Sequence, residues 1–323
     1  MRKISVYILN QFLPLFLTIF FVISAIISLI YIITISNITS KIQITFIELL
    51  KFYILSMPQI LLITLAISFF ISAINLYSKL SETQELIALF SLGFKPKTLL
   101  NPILLLAILL TFINLFILFI SIPYAKMNFN NLKNEKKQEA KFNFQSSQVS
   151  QQFGDWVIFA NKGKNNSFTK IYLYSPKENK FIISQNAQLQ NKNSVLNFAL
   201  TIGNIYDFNK SMQIKFNKME INQLIPKVKI SIFNFKDYFK YNKKEFAKYL
   251  PIALLPITLF FFIPLISFFH PRLNKSHPLF YAITILSIYS IVSLSNKNFI
   301  LSILISVLFF IIGGILYKWK VKF

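Results

Sequence analysis

Apolar runs too long for a soluble core alternate along this chain with five polar interruptions, of which the two longest differ in character. Six runs stand out, at about residues 11–35, 52–77, 98–123, 249–269, 279–295 and 299–317. Some 20 apolar residues in a helix, at about 1.5 Å each, cross the hydrocarbon of a bilayer, so these runs predict six transmembrane helices. The first run follows Met1-Arg2-Lys3, exceeds the apolar part of a signal peptide and has no small-residue cleavage site, so it is expected to stay as an anchor. Pro58-Gln59 lies inside the second run, and Pro251, Pro256 and Pro264 punctuate the fourth. There, neighbouring helices or side chains must satisfy the carbonyls that proline frees.

The longer interruption, residues 124–248, changes the period from helical to alternating. Candidate strands are 155–161, 168–175, 181–185, 195–208 and 212–221. Lys162-Gly163-Lys164-Asn165-Asn166, Pro176-Lys177-Glu178-Asn179, Asn191-Lys192-Asn193 and Asn209-Lys210 supply the turns. Strands repeating about every ten residues predict an antiparallel sandwich or jelly roll. Residues 130–141 read as a polar linker or short helix leading in, and 233–248 as the way back. The expected fold class is therefore a polytopic α-helical membrane protein with six transmembrane helices and an inserted all-β, jellyroll-like domain between the third and fourth. Its expected domains are 1–123, 124–248 and 249–323.

The shorter interruption, SKLSETQELIALFSLGFKPK at residues 78–97, reads as a helix with both ends marked. Ser81 and Gln84 have the spacing of a capping box, which starts the helix near Glu82. Gly93 suits the left-handed position after the last turn, and Pro96 stops continuation, so the helix should end near Leu92. Leu80, Thr83, Ile87, Phe90 and Phe94 share one stripe, with Glu82 and Glu85 elsewhere on the surface. Such a segment is either a solvated turn between two spans or a docking element for a soluble partner.

Composition narrows the chemistry. A chain of 323 residues with 54% hydrophobic residues, 37 Phe and 6 Gly is a membrane protein by make-up. It has no Cys and two His, so thiolate chemistry is impossible and a His-rich metal site is not expected. The net charge of +23 comes without a nucleic-acid recognition motif, and no nucleic-acid partner is expected.

Charge also orients the chain. Arg2, Lys3, Lys79, Lys95, Lys97, Arg272, Lys275, Lys318, Lys320 and Lys322 fall on one side of the expected membrane, and only Lys41, Lys51 and Lys297 on the other. The first set should be cytoplasmic, with both termini, and the β domain exported, its own Lys content notwithstanding. No G-x-x-x-x-G-K-[ST] loop, G-x-S-x-G or H-E-x-x-H is present, and no charge sits in the middle of a span. Neither intrinsic ATPase activity nor ion coupling is therefore expected, and the chain reads as a non-enzyme without a cofactor. Gln59, Asn75 and Asn114 read as interhelical glue.

With those features placed, the chain resembles the LptF/LptG (YjgP/YjgQ) permeases of the lipopolysaccharide export ABC transporter over nearly its full length. The most specific match is Glu85-Leu-Ile-Ala-Leu-Phe-Ser-Leu-Gly93, similar to the family's E-x7-G segment between spans two and three. Pro264-Leu265 and His270-Pro271-Arg272 resemble the P-L and P-R ending span four, the latter leaning to the LptF half. Gln152-Phe153 to Tyr174 resembles the opening of the β domain.

The resemblance implies a half-transporter in a bacterial inner membrane. A second LptF/LptG-type permease would complete the cavity, two copies of an LptB-like cytoplasmic ATPase would drive it, and a single-span LptC-like bridge protein would receive lipopolysaccharide through sheet-edge pairing. It also implies that residues 81–93 form the coupling helix, with Glu85 and Gly93 in the motif and Glu82 beside it. The family's basic residues near the outer end of span one are missing from residues 31–40, leaving Lys41 and Lys51 as candidates for lipid phosphate contact. The rival readings are a permease of another ABC export system and a membrane scaffold whose β domain recruits envelope proteins. Four-span lever permeases carry their large domain after the first span, unlike this chain.

Overall fold

A computed structural model describes residues 2–39, 45–142, 151–153, 156–162, 167–192, 195–224, 235–270, 277–295 and 298–320. The chain divides into two compact units, one of Met1–Ser36, Ile47–Asn128 and Ile230–Phe323, the other of Asn37–Phe46 and Phe129–Lys229.

The first unit is helical. Its elements are α1 (Arg2–Thr39), α2 (Phe46–Glu82), α3 (Glu85–Ser91) and α4 (Pro96–Phe116), then a π-helical turn at Ile117–Ser121 and α5 (Ile122–Phe142). After the β unit come α6 (Phe235–Thr258), α7 (Phe262–Ser267), α8 (Pro278–Leu294) and α9 (Phe299–Lys320). Helix α2 lies at the centre: Phe69, Phe70, Ala73, Ile74 and Tyr77 are buried against Leu99, Ile103 and Ala107 of α4 in one continuous core. Phe246 and Ala253 of α6 and Tyr289 of α8 belong to the same core.

Because a bilayer offers helices little hydrophobic incentive to associate, polar ties and small residues matter more here than in water. Tyr77 donates to the Leu99 carbonyl at 2.7 Å, Tyr289 to the Pro251 carbonyl at 2.7 Å, and Ser302 to the Ala247 carbonyl at 2.6 Å. Gly313 lets α9 close onto Phe262, whose ring would lie 2.9 Å from an added Cβ.

Among the described residues, four helices are long and apolar enough to cross a membrane: Lys3–Asn37, Phe46–Glu82, Pro96–Lys136 and Phe299–Lys320. The apolar run 279–295 forms a 17-residue helix, α8. The run at 249–269 is divided between α6 and α7 by a tight turn at Leu259–Phe261, where Phe262 and Ile263 donate three residues back. That break places Pro264 in the first turn of α7, where a missing N–H costs nothing.

The third run continues further than expected, as helix through the polar segment to Phe142. Pro123 cannot donate to Phe119, four residues back, and its ring crowds that carbonyl. The π-helical turn at Ile117–Ser121 takes up the strain, and the Tyr238 hydroxyl of α6 donates to the freed Phe119 carbonyl. Lys126 of α5 also pairs with Glu245 of α6.

The second unit holds one antiparallel sheet in chain order: β1 (Gln151–Phe153), β2 (Trp156–Lys162), β3 (Ser167–Ser175), β4 (Lys180–Lys192), β5 (Val195–Asp207) and β6 (Met212–Leu224). Each described strand pairs with its sequence neighbour, so the described sheet is a meander and lacks the crossovers of a Greek-key jelly roll. Short links cause this: the turns at 176–179 and 208–211 leave no length for a crossing connection. Alternation selects the buried face, with Ile171, Leu173 and Ser175 inward and Tyr172 and Tyr174 outward. Ile158, Ile182, Ala187 and Leu200 complete this core. Gly203 sits where an added Cβ would meet the Ile183 carbonyl oxygen at 2.3 Å.

Candidate coupling site

The polar segment between α2 and α4 forms a corner built differently at its two ends. Helix α2 does not begin again at Ser81 but runs through it to Glu82. Ser81 is buried and donates to the Ser267 carbonyl at 2.6 Å, tying α2 to the end of α7, so its hydroxyl is not a cap and the expected capping box does not form. The chain instead turns at Thr83–Gln84, with Gln84 left-handed at φ 63°, and α3 starts at Glu85.

The far end follows the sequence expectation. Gly93 has φ 85°, its N–H donates to Phe90 at 2.9 Å, and the Phe94 N–H donates to Leu89 at 3.2 Å. That pair of bonds is a Schellman motif, which satisfies the last carbonyls of a helix and requires a residue tolerant of positive φ. Pro96 then opens α4 at its first turn.

Only part of the expected apolar stripe survives the break. Leu80 is buried and Ile87, Phe90 and Phe94 are half-buried, but Thr83 is exposed because it lies in the turn. Leu86 is the buried anchor of α3, and Phe90 packs edge-on against Phe268 with ring centres 6.0 Å apart. Tyr77 of α2 packs on the same Phe268 at 5.5 Å. One aromatic ring therefore connects the end of α2, the short helix and the residue following α7. Outward, the corner presents Glu82, Thr83, Gln84, Ala88, Ser91 and Leu92.

Glu85 is half-buried, and both carboxylate oxygens accept hydrogen bonds. Thr83 donates to Oε1 at 3.0 Å, and the Tyr7 hydroxyl donates to Oε2. Tyr7 lies near the start of α1, so this bond links the first membrane helix to the corner. Sequence reasoning missed Tyr7, because nothing local pairs a tyrosine with a carboxylate 78 positions away.

The remaining candidates are placed elsewhere. Lys51 is exposed in the second turn of α2, about thirty residues and therefore roughly 45 Å of helix from Glu82, so these residues cannot act in one site. Lys41 and the Pro271-Arg272 pair lie outside the described residues. Of the expected polar glue, Gln59 accepts from Tyr31 of α1 at 3.1 Å. Asn114 is fully buried, with neither side-chain atom hydrogen-bonded to a described residue.

A family model described as lipopolysaccharide export system permease LptF/LptG matches residues 6–320. The chain belongs to the LptF/LptG family. No curated protein matches it. Family membership makes it a membrane component of lipopolysaccharide export, a permease and not a catalytic subunit. The corner from Glu85 to Gly93 is a structured polar connection between two membrane helices of this LptF/LptG chain, α2 and α4.

Proposed function

We propose that this chain is one of two permease halves that extract lipopolysaccharide from the bacterial inner membrane and pass it to a periplasmic bridge, driven by ATP hydrolysed in a separate subunit. The observation that carries this reading is the helix from Glu85 to its Gly93 Schellman stop, set at the end of the most buried membrane helix within a family of export permeases. A short rigid helix fixed at both ends transmits displacement; a slack loop would absorb it.

In this reading the chain crosses the membrane six times, with α6–α7 and α8 supplying two crossings beside the four long apolar helices. Both termini and α3 face the cytoplasm, and the β unit faces the periplasm. Two copies of an LptB-like ATPase dock on the corner, where Glu82 and Leu92 are exposed and Glu85 lies at the junction with α1. Tyr7 and Thr83 preorganise the Glu85 carboxylate, so a push on α3 moves α1 as well as α2. A second LptF/LptG-type permease encloses the lipid. The outer edge of β6 is the place where an LptC-like bridge protein adds its sheet. Lys51 faces the lipid phosphates on the opposite side of the membrane from α3, and Lys41 is the second candidate for that contact.

The test is a mild-detergent pull-down of the tagged protein, wild type beside Glu85→Lys, with mass spectrometry of all recovered proteins and lipids. The reading expects wild type to recover an ATPase, a second permease and lipopolysaccharide, and the variant to lose the ATPase. Recovery of no nucleotide-binding protein with wild type in several detergents would overturn it in favour of a scaffold.

A further inference from the structure

Beside the corner, on the helical unit, lies a cleft of about 1260 Å³ that shares Phe90, Gly93 and Phe94 with it. Its apolar wall includes Phe261, Phe310, Ile311 and Ile315, and its rim carries Lys95, Lys97 and Lys318. Ile311 and Ile315 are 52% and 59% exposed although they belong to an apolar helix long enough to span a membrane. The cleft therefore straddles a boundary, with hydrocarbon-facing side chains at one end and ammonium groups at the other.

Three further features favour an anion at the basic end. The first turn of α4, which contributes Pro96 and Lys97, has no side-chain cap and no acidic residue, so its positive dipole end adds to the lysines. Among the described residues no Asp or Glu lines the cleft and no salt bridge engages Lys95, Lys97 or Lys318. Gly93 leaves the entrance open, with nothing within 4 Å of where its Cβ would be. Gly314 gives the acyl end a smooth floor.

We propose that this cleft binds a glycerophospholipid with an anionic headgroup, its phosphate held by Lys95, Lys97 and Lys318 and one acyl chain lying along Phe310, Ile311, Gly314 and Ile315. A basic pocket between membrane helices at the polar boundary has the chemistry of an anionic-lipid site. An uncharged lipid brings no phosphate to the lysines, and a zwitterionic one brings its own headgroup cation beside the phosphate, where the three ammonium groups repel it. A protein segment would have to be both acidic and able to follow apolar side chains into the hydrocarbon. The bound lipid would brace the end of α9 against the loop after α3. The inference stands on this cleft alone and not on the export reading.

Native mass spectrometry of the full-length protein, delipidated in detergent and titrated with phosphatidylglycerol, phosphatidylcholine or lipopolysaccharide, tests it. Wild type should retain phosphatidylglycerol at least ten-fold more tightly than phosphatidylcholine. Each lysine contributes about five-fold, on the scale of a basic residue near an anionic surface. The triple variant Lys95→Gln/Lys97→Gln/Lys318→Gln should erase that preference.

Gly314→Leu fills the acyl end with all charges retained, and should weaken both phospholipids together. Its Cβ meets Phe261 only at 3.8 Å, an ordinary contact that the fold accommodates. Thermal unfolding verifies that each variant is folded. Equal retention of the two phospholipids by wild type, or an unchanged preference in the folded triple variant, would overturn the site. So would preferential retention of lipopolysaccharide. Because no ATPase enters this assay, its failure leaves the export reading untouched, and absence of an ATPase from the wild-type pull-down leaves the lipid site untouched.

Discussion

Helices α1 and α2 look alike as sequence, both long and apolar throughout, yet they occupy opposite situations within the chain. In the most apolar 18-residue stretch of α2, 67% of the residues are buried inside the protein; in that of α1, 0% are. The difference lies in the small and polar residues. Helix α2 buries Ser56, Thr64, Ala66, Ser68, Ser72, Ala73, Ser78 and Ser81, whereas α1 presents Leu13, Leu17, Phe21, Val22, Ile26, Leu29 and Ile33 outward. In a bilayer greasiness does not mark the interior, because lipid is as apolar as leucine. Small buried side chains, and hydroxyls bonded back to their own helix such as those of Ser56, Thr64 and Ser72, mark it instead.

The largest contrast is expected from changing side-chain volume once on each helix, at a buried site of α2 and at an exposed site of α1. Ala73→Leu places extra volume at a fully buried site of α2 and should cost about 1–3 kcal/mol through overpacking. Ile26→Ala on α1, where Ile26 is more than half exposed, should stay within about 0.5 kcal/mol. Thermal unfolding of both variants in the same detergent checks the pair, and equal losses would mean that α1 packs as tightly as α2.

Smaller effects are expected where the two helices meet the corner. Gly93→Ala puts a Cβ into a left-handed conformation and should cost about 1–2 kcal/mol, with Gly93→Asn costing less. If Gly93→Ala melted like wild type, the Schellman end would not be contributing. Tyr7→Phe removes the bond between α1 and Glu85 and should cost about 1 kcal/mol, at the low end for a charge-assisted bond because Glu85 is half-exposed. Faster hydrogen exchange confined to the first turns of α1 and to α3 would confirm the link. The smallest effect is expected from Ser81→Ala, about 0.5–1 kcal/mol for the lost bond to Ser267, since the hydroxyl is removed while a single carbonyl is left to find another donor.

The sequence was most informative where structure is decided locally. The expected strand limits at 168–175, 195–208 and 212–221 lie within three residues of β3, β5 and β6, because alternation and Asn- or Pro-marked turns act between near neighbours. Gly93 was legible for the same reason. The limit at 181–185 fell short of the end of β4 at Lys192, since its second half is polar and is held by pairing with β5. Ser81 was misleading because its hydroxyl serves Ser267, 186 positions away, and no local pattern reveals that competitor.

The fate of the prolines shows the same limit. The expected continuous fourth span is divided at Leu259–Phe261, ahead of Pro264, whereas Pro58, Pro251 and Pro256 lie inside helices and Pro123 is accommodated with the help of Tyr238. The sequence position of a proline does not by itself locate a break. The Tyr7–Glu85 bond, which joins the two compared helices through α3, depends on tertiary structure in the same way.

The most direct test of the central claim, that the corner between Glu85 and Gly93 couples ATP use to lipid movement, is a reconstituted export assay. Proteoliposomes containing the purified complex, wild type or Glu85→Lys, would be given ATP, and lipopolysaccharide transferred to the periplasmic bridge would be measured by crosslinking. The account predicts ATP-dependent transfer by wild type and a loss of at least ten-fold in a variant that still inserts and still binds lipopolysaccharide. Transfer by Glu85→Lys at the wild-type rate would contradict it.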